Sequence, residues 1–155
     1  KEMNEIFFSG TFGGELLSLA AANEVLSQHL ENNVIPKLYE AGESLNELTQ
    51  KNLEEQQLTD VLSLSGHPTW RFLNWKDHES GSALEIKTYF MQECFKEGVL
   101  VLGTHNVTTA HTSKAIKSIG RKYSRIFSRL RANLEKNTLK SNLEVLPLQP
   151  LFKVR

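Results

Sequence analysis

The chain has 155 residues, no net charge at neutral pH, 39% hydrophobic residues and 23% charged residues. This balance is typical of one globular domain with a buried core, and it excludes a disordered, collagen-like or strongly polycationic protein. No segment has the length and apolar character of a membrane-spanning helix, and no secretory signal is visible.

A glycine-rich run near the start of the sequence precedes a helix predicted over residues 15–30. Residues 7–14 include Gly10, Thr11 and two further glycines. Glycines allow backbone N–H groups to turn towards a ligand, and the N-terminus of a following helix favours an anion. The run therefore predicts phosphate binding by Gly10 and Thr11. The alternative is a loop in which the glycines serve only the backbone geometry.

Two helices are predicted in the first third of the chain. Asn33 is a cap for the second helix, and Pro36 is tolerated in its first turn. The apolar stripe of this helix contains Ile35, Leu38, Leu45, Leu48 and Leu53.

Strands and helices alternate after Asp60. Short strands are predicted over residues 61–64, 69–75 and 99–102. The capping pair Ser82 and Glu85 predicts a third helix, with Gly98 following its last turn. Thr112 caps a fourth helix that runs to about Asn133. We therefore expect a single α/β (α+β) two-layer domain in which helices cover one face of a small sheet, preceded by long helices.

The titratable residues predict no metal site and no reactive thiol. His67, His105 and His111 have no familiar zinc-ligand spacing, and Cys94 is the only cysteine. A single cysteine excludes an intrachain disulfide and favours a reducing, cytoplasmic location. Because Cys94 lies in an apolar helical pattern, we expect a buried small hydrophobe rather than a nucleophile.

Charge is unevenly distributed. Residues 1–60 are mainly acidic, whereas the segment 114–131 holds seven basic residues and no acid. A basic helix can bind nucleic acid, but the few aromatic residues in this segment favour a solvated helix face that complements the acidic half or a partner subunit.

Several motifs, in their order along the chain, resemble the C-terminal part of class III aminotransferases, which are pyridoxal-phosphate (PLP) enzymes. This family includes glutamate-1-semialdehyde aminomutase. The resemblance covers nearly the whole chain and is carried by five segments: Leu16-Leu17-Ser18-Leu19-Ala20-Ala21-Ala22, Ser65-Gly66-His67-Pro68-Thr69-Trp70, Gly98-Val99-Leu100, Thr104-His105-Asn106-Val107 with Ala110-His111-Thr112, and the ending Pro147-Leu148-Gln149-Pro150-Leu151-Phe152-Lys153-Val154-Arg155.

The resemblance implies a role for the glycine-rich run. In such enzymes the matching loop contacts the phosphate of PLP in the neighbouring subunit, so Gly10 and Thr11 are the implied cofactor-binding residues. The implied partners are a second subunit, in a homodimer with a shared active site, and a small-molecule amino donor or acceptor. Neither a nucleic acid nor a membrane is implied.

The resemblance also implies that essential parts lie upstream. The lysine that forms the Schiff base precedes the matching loop in the family, and no catalytic residue is assigned within residues 1–155. We expect the C-terminal portion of a larger enzyme, inactive by itself, with a phosphate loop and connecting helix in residues 1–30 and a small domain in residues 31–155.

Arg71 is the one candidate substrate-binding residue. The small domain of related aminotransferases often supplies a cation for a substrate carboxylate, and arginine suits that geometry. The alternative is a surface arginine on an edge strand.

A second function of a different class stays open. The chain would then be a stand-alone interaction module whose basic fourth helix binds nucleic acid or an acidic partner. Such electrostatic binding falls steeply with salt.

Overall fold

A computed structural model describes residues 14–150 of the chain. The chain forms two compact units that divide after Pro36. No helix of the described part is long and apolar enough to cross a membrane. The elements in chain order are α1 (Leu16–Glu31), α2 (Val34–Glu55), β1 (Leu62–His67), β2 (Trp70–Trp75), α3 (Ala83–Lys96), β3 (Thr104–Asn106), α4 (Ser113–Glu135) and a 3₁₀ turn (Lys140–Asn142).

The first helix matches its prediction to within one residue at each end. Glu15 is the N-cap, and its carboxylate accepts hydrogen bonds from the backbone N–H groups of Leu17 and Ser18. No residue of α1 is buried. Its exposed apolar side chains include Leu16, Leu17, Leu19, Val25, Leu26 and Leu30.

The second helix begins directly after Asn33, as predicted. Asn33 has a φ of 50°, a left-handed conformation that asparagine tolerates better than most residues. Leu45 and Leu53 of the predicted stripe are buried, whereas Ile35 is exposed. The buried stripe also contains polar residues that its apolar pattern does not predict, namely Asn46, Thr49 and Asn52.

The sheet is antiparallel with strand order β1-β2-β3, and β2 is therefore central. Leu64 pairs with Leu73 and Arg71 pairs with His105 in the register. Because side chains alternate between faces along a strand, these residues share one face of the sheet. Leu73 is buried there, while Trp70 and Phe72 stack on each other on the opposite, exposed face.

The predicted strand over residues 99–102 is wrong. The third strand is β3; in the preceding apolar run Val101 is buried in the core and Val99 packs against it, whereas Leu100 is 85% exposed. Pairing with β2 begins at Gly103, whose carbonyl accepts the hydrogen bond of the Leu73 N–H. Gly103 has a φ of 101°, a conformation that turns the chain into the sheet only after the run has ended.

The two later helices confirm their predicted caps. Ser82 and Glu85 form a reciprocal capping box at the start of α3, and the Thr112 side chain caps α4. Gly98 follows α3 with a φ of 70°. Both helices contribute to one core of apolar side chains shared with the sheet, including Tyr89, Phe90, Cys94, Tyr123, Ile126, Phe127 and Leu130. This arrangement confirms the expected small two-layer α/β fold.

Gly42 allows α2 to lie directly against the β1–β2 turn. A Cβ at this position would lie 2.5 Å from the carbonyl oxygen of Pro68 and 3.1 Å from the Thr69 nitrogen. Both neighbours are backbone atoms, so they yield only if the turn or the helix shifts.

We expect Gly42→Ala to lower the free energy of unfolding by about 1–2 kcal/mol, because the cost of overpacking exceeds the gain in helix propensity. Urea denaturation followed by circular dichroism measures the change. Gly14→Ala is the matched control, since a Cβ there meets nothing within 4 Å. Unchanged or higher stability of Gly42→Ala would contradict the close contact.

Candidate functional site

The predicted phosphate loop lies outside the described residues, since Gly10 and Thr11 both precede residue 14. The helix that follows begins with two N–H groups already occupied by the Glu15 carboxylate, at 2.8 Å from Leu17 and 2.6 Å from Ser18. Hydrogen bonds from Ser18 and Leu17 lower the pKa of this carboxyl. Any anion near this helix start would therefore depend on other donors, and the role of Gly10 and Thr11 stays a prediction.

Arg71 does not lie on an edge strand, because β2 is the central strand of the sheet. Its guanidinium donates a hydrogen bond from Nη1 to the Gly66 carbonyl, and Nη2 lies 3.8 Å from Oε1 of Glu43 on α2. The side chain is 24% exposed, and its buried Nε has no hydrogen-bond partner among the described residues. Arg71 is thus a partly buried cation between the sheet and α2, and its Nε–H has no acceptor among the described residues.

A cleft of about 450 Å³ opens beside Arg71, between α2 and strands β1 and β2. Asn46 lines the cleft and is only 6% exposed. Neither Nδ2 nor Oδ1 of Asn46 has a partner among the described residues. Buried polar groups in folded proteins are nearly always paired with protein or water. The residues around the cleft are Glu43, Asn46, Glu47, Gln50, Lys51, Glu54, Leu64 and Arg71.

The sequence does not predict Asn46 as a site residue. A lone asparagine in an amphipathic helix is common and carries no motif. The sequence feature that points to Asn46 is its spacing. Polar residues recur every three residues at Asn46, Thr49 and Asn52. They lie along the helix stripe that also holds Leu45 and Leu53. Polar residues at that spacing on a buried stripe indicate either hydrogen-bonded packing or a polar site.

His105 is buried in a separate place, against α4. Its Nε2 lies 2.9 Å from the Tyr123 hydroxyl, and its ring stacks on the tyrosine ring. Its Nδ1 is buried without a partner among the described residues. Burial, with a smaller contribution from His111, lowers the pKa of His105 to about 4. The imidazole is therefore neutral at physiological pH.

The other two candidate ligand histidines, His67 and His111, make local contacts. His67 Nδ1 lies 3.0 Å from the Thr69 hydroxyl, and His111 Nδ1 accepts a hydrogen bond from the Thr108 N–H. Within residues 14–150, no group of three or more His, Cys, Asp and Glu side chains is placed to hold a metal ion. Cys94 is buried as predicted, and burial raises the pKa of its thiol to about 12.

The basic run on α4 divides into two halves. Arg125 and Arg129 pair with Glu97 at the end of α3, and Arg131 pairs with Glu135. The acids that neutralise this half thus come from α3 and α4, not from the acidic first 60 residues. The remaining cations form no ion pair with a carboxylate of residues 14–150, and they are Lys114, Lys117, Arg121 and Lys122.

Comparison with known proteins supplies one structural likeness. No protein-family model and no curated protein matches this chain. A solved structure of the FumI protein from Sphingopyxis sp. MTA144, in its PLP internal aldimine form, superposes with a TM-score of 0.71 and 22% sequence identity. The match covers 91% of this chain. The two proteins therefore share a fold.

The same comparison shows how much of FumI the match includes. The matched region is 32% of the FumI chain. This chain thus spans about a third of the length of that protein. The match corresponds to one portion of the longer FumI chain, and what FumI does enters only as a proposal for this chain.

Proposed function

We propose that this chain is the C-terminal portion of a PLP-dependent enzyme of the class III aminotransferase type, similar to glutamate-1-semialdehyde 2,1-aminomutase. The observation that carries the proposal is the likeness in fold to a PLP-containing protein over nearly the whole chain. The motif order in the sequence supports it independently. Fold alone does not determine chemistry, so the assignment depends on both.

Within this proposal, Gly10 and Thr11 contact the phosphate of PLP held by the partner subunit of a homodimer. PLP supplies the electron sink for moving an amino group when it is bound. Arg71 holds the carboxylate of an amino-acid substrate, an interaction to which a guanidinium is well suited.

The cleft beside Arg71 does not provide a PLP site by itself. A PLP site needs a lysine for the aldehyde and a cluster of donors for the phosphate. The lysine of the cleft beside Arg71, Lys51, is exposed and lies 3.8 Å from the Glu55 carboxylate. The residues of this cleft therefore serve substrate contact and support of the fold.

Cofactor retention tests the proposal. The longest protein that contains this chain is purified with PLP and dialysed, and the retained PLP is measured after release by alkali. We expect stoichiometric retention, and about tenfold weaker PLP binding in Thr11→Val, because a hydrogen bond to a charged phosphate is lost.

Thr59→Val is the matched control, since Thr59 is exposed and far along the chain from the loop. Absence of retained PLP in the unmodified protein would overturn the proposed cofactor. Equal PLP affinity in Thr11→Val and Thr59→Val would remove Thr11 from the phosphate site.

A second candidate function is supported by the unpaired half of α4. Lys114, Lys117, Arg121 and Lys122 fit an acidic partner or a nucleic acid. Binding to single-stranded and duplex DNA of random sequence, measured at two salt concentrations, tests this candidate. A steep loss of affinity with salt supports nucleic-acid binding, and no binding at low salt rejects it.

A further inference from the structure

Strand β1 has a free edge that carries unpaired backbone groups. It is an outer strand of the sheet, because the strand order is β1-β2-β3. The hydrogen bond from the Lys76 N–H to the Val61 carbonyl sets the phase of its ladder with β2. Since only alternate residues of an antiparallel strand bond to a given neighbour, Leu62, Leu64 and Gly66 direct their N–H and C=O groups away from β2.

Some of these outward groups have partners inside the chain. The Leu62 N–H donates to the Leu58 carbonyl, and the Gly66 carbonyl accepts a hydrogen bond from Arg71 Nη1. The Leu62 carbonyl, both groups of Leu64 and the Gly66 N–H make no backbone hydrogen bond within residues 14–150. Because the strand also contains no lysine and no proline, its edge is open to pairing with another extended chain.

Helix α2 forms the second wall of a groove along this edge, with a volume of about 450 Å³. This wall presents Glu43, Glu47 and Glu54, whose spacing places them on one face of the helix. The row of glutamates is about 16 Å long at the rise of an α-helix. The outward groups of residues 62–66 span about 13 Å at the rise of a strand. The row is therefore long enough to accompany the whole free edge.

The glutamates of this wall are incompletely neutralised. The two cations that line the groove each lie near a carboxylate of α2, with Arg71 at 3.8 Å from Glu43 and Lys51 at 3.8 Å from Glu55. The other two glutamates of the row form no ion pair within residues 14–150. The groove thus has an excess of negative charge and is complementary to a cationic partner.

The free edge and the charged wall together define the partner. A peptide that pairs with β1 places every second side chain on the face towards α2, at intervals of about 6.6 Å. Cationic side chains at these positions meet the glutamates, while the peptide backbone bonds to Leu64 and Gly66. We propose that this groove binds an extended segment of another protein with lysine or arginine at alternate positions, which adds a fourth strand to the sheet.

Amide hydrogen exchange on the full 155-residue chain tests the backbone pairing. The probe is an acetylated and amidated heptapeptide of alternating lysine and valine. We expect saturable binding and at least about tenfold slower exchange at the N–H groups of Leu64 and Gly66. The Ser65 N–H, in the strand residue that pairs with Phe72 of β2, is the internal control and should change much less. No saturable binding, or binding without slower exchange at Leu64, would overturn the proposal.

Two N-methylated peptides separate strand pairing from attraction by charge. One peptide is methylated on its lysine amides and the other on its valine amides, so both keep every positive charge. Only one of these two sets of amides points towards β1 in an added strand. We therefore expect one peptide to lose binding and the other to keep it, and equal affinities of the two would overturn the added strand.

Glu47→Gln combined with Glu54→Gln tests the charged wall. We expect about fivefold weaker binding of the unmethylated peptide, because two exposed ion pairs are lost. Glu31→Gln combined with Glu79→Gln is the matched control, since it removes the same charge from exposed positions outside the groove. The control should bind as the unmodified chain does. Equal weakening in the two double variants would show attraction without a site and would overturn the proposal.

The exchange measurement also separates a foreign segment from a second copy of this chain. Pairing between two β1 edges would slow exchange at Leu64 as the protein concentration rises in the absence of peptide, and this result would overturn the proposed partner. None of these measurements involves PLP. Failure of the peptide site and failure of the proposed enzyme are therefore distinguishable.

Discussion

Arg129→Met is expected to lower the free energy of unfolding by about 2 kcal/mol, because it removes one of the two cations beside a buried carboxylate. The Glu93 side chain is only 7% exposed, and its Oε2 lies 2.7 Å from Arg129 Nε. Nη2 of the same guanidinium lies 3.0 Å from Oε1 of Glu97. Lys96, 3.0 Å from Glu93, remains in the variant and limits the loss.

The pH dependence of this loss of stability follows from the direction in which the pKa of Glu93 is shifted. Burial would raise the pKa of Glu93, but the hydrogen bonds from Lys96 and Gln92 and the charges of Lys96 and Arg129 outweigh it, so the pKa is lowered. A carboxyl with a lowered pKa stabilises the fold above its unfolded value and loses that contribution as the pH falls. The deficit of Arg129→Met should therefore shrink below about pH 4.5.

Urea denaturation at pH 7 and pH 4 measures both effects. Arg131→Met is the matched control, since Arg131 pairs with Glu135 one turn along α4, where the glutamate is exposed. Its expected loss is about 0.5 kcal/mol. Equal losses in the two variants would show that Glu93 does not depend on Arg129. Combining Arg129→Met with Glu93→Gln should recover part of the stability, because the uncompensated charge is removed.

Acidification from pH 6.5 to pH 4 is expected to cost the fold about 3 kcal/mol through His105 alone. Burial, followed by the charge of His111, lowers the pKa of this imidazole to about 4. The unfolded chain binds the proton near pH 6.5, whereas the folded chain does not, so protons favour unfolding in this interval. The cross-strand neighbour is the Arg71 cation, which offers an imidazolium no stabilisation.

His105→Gln removes the titration while keeping a side chain that can bond the Tyr123 hydroxyl. We expect this variant to be less stable at pH 7, because the ring stacking is lost, but its stability should vary much less between pH 6.5 and pH 4. Thermal unfolding at intervals of half a pH unit measures the slope. His67→Gln, at an exposed position, should keep the slope of the unmodified chain. A slope unchanged in His105→Gln would contradict a neutral buried imidazole.

The elements that the sequence predicts well are those with a local chemical signal. The caps at Ser82 and Thr112 fix the starts of α3 and α4, because a side-chain oxygen and a backbone N–H only a few residues apart decide the structure. The apolar run at residues 99–102 has no such signal. Its residues suit a strand, but β2 offers its hydrogen bonds only from Gly103 onwards, and this is a property of the tertiary structure.

The candidate cleft was predictable only in part. The residue type of Arg71 and its position next to Trp70 predict a candidate site residue. Its place on the central strand depends on the pairing of β3 with β2, and the sequence predicts the third strand at residues 99–102 instead. Asn46 is recognised as a candidate site residue only once the packing of α2 against the sheet is known. The buried pair of His105 and Tyr123 joins residues 18 positions apart, and no spacing rule connects a strand residue to a residue of the next helix.

The division of α4 into a neutralised half and an unneutralised half has a consequence for the response to electrolytes. Added ions weaken the attraction that binds Arg125 and Arg129 to α3, and they equally relieve the mutual repulsion of the cations near the helix start. The two effects oppose each other within one helix. Stability should consequently vary little with ionic strength, although local fraying would move from one end of α4 to the other.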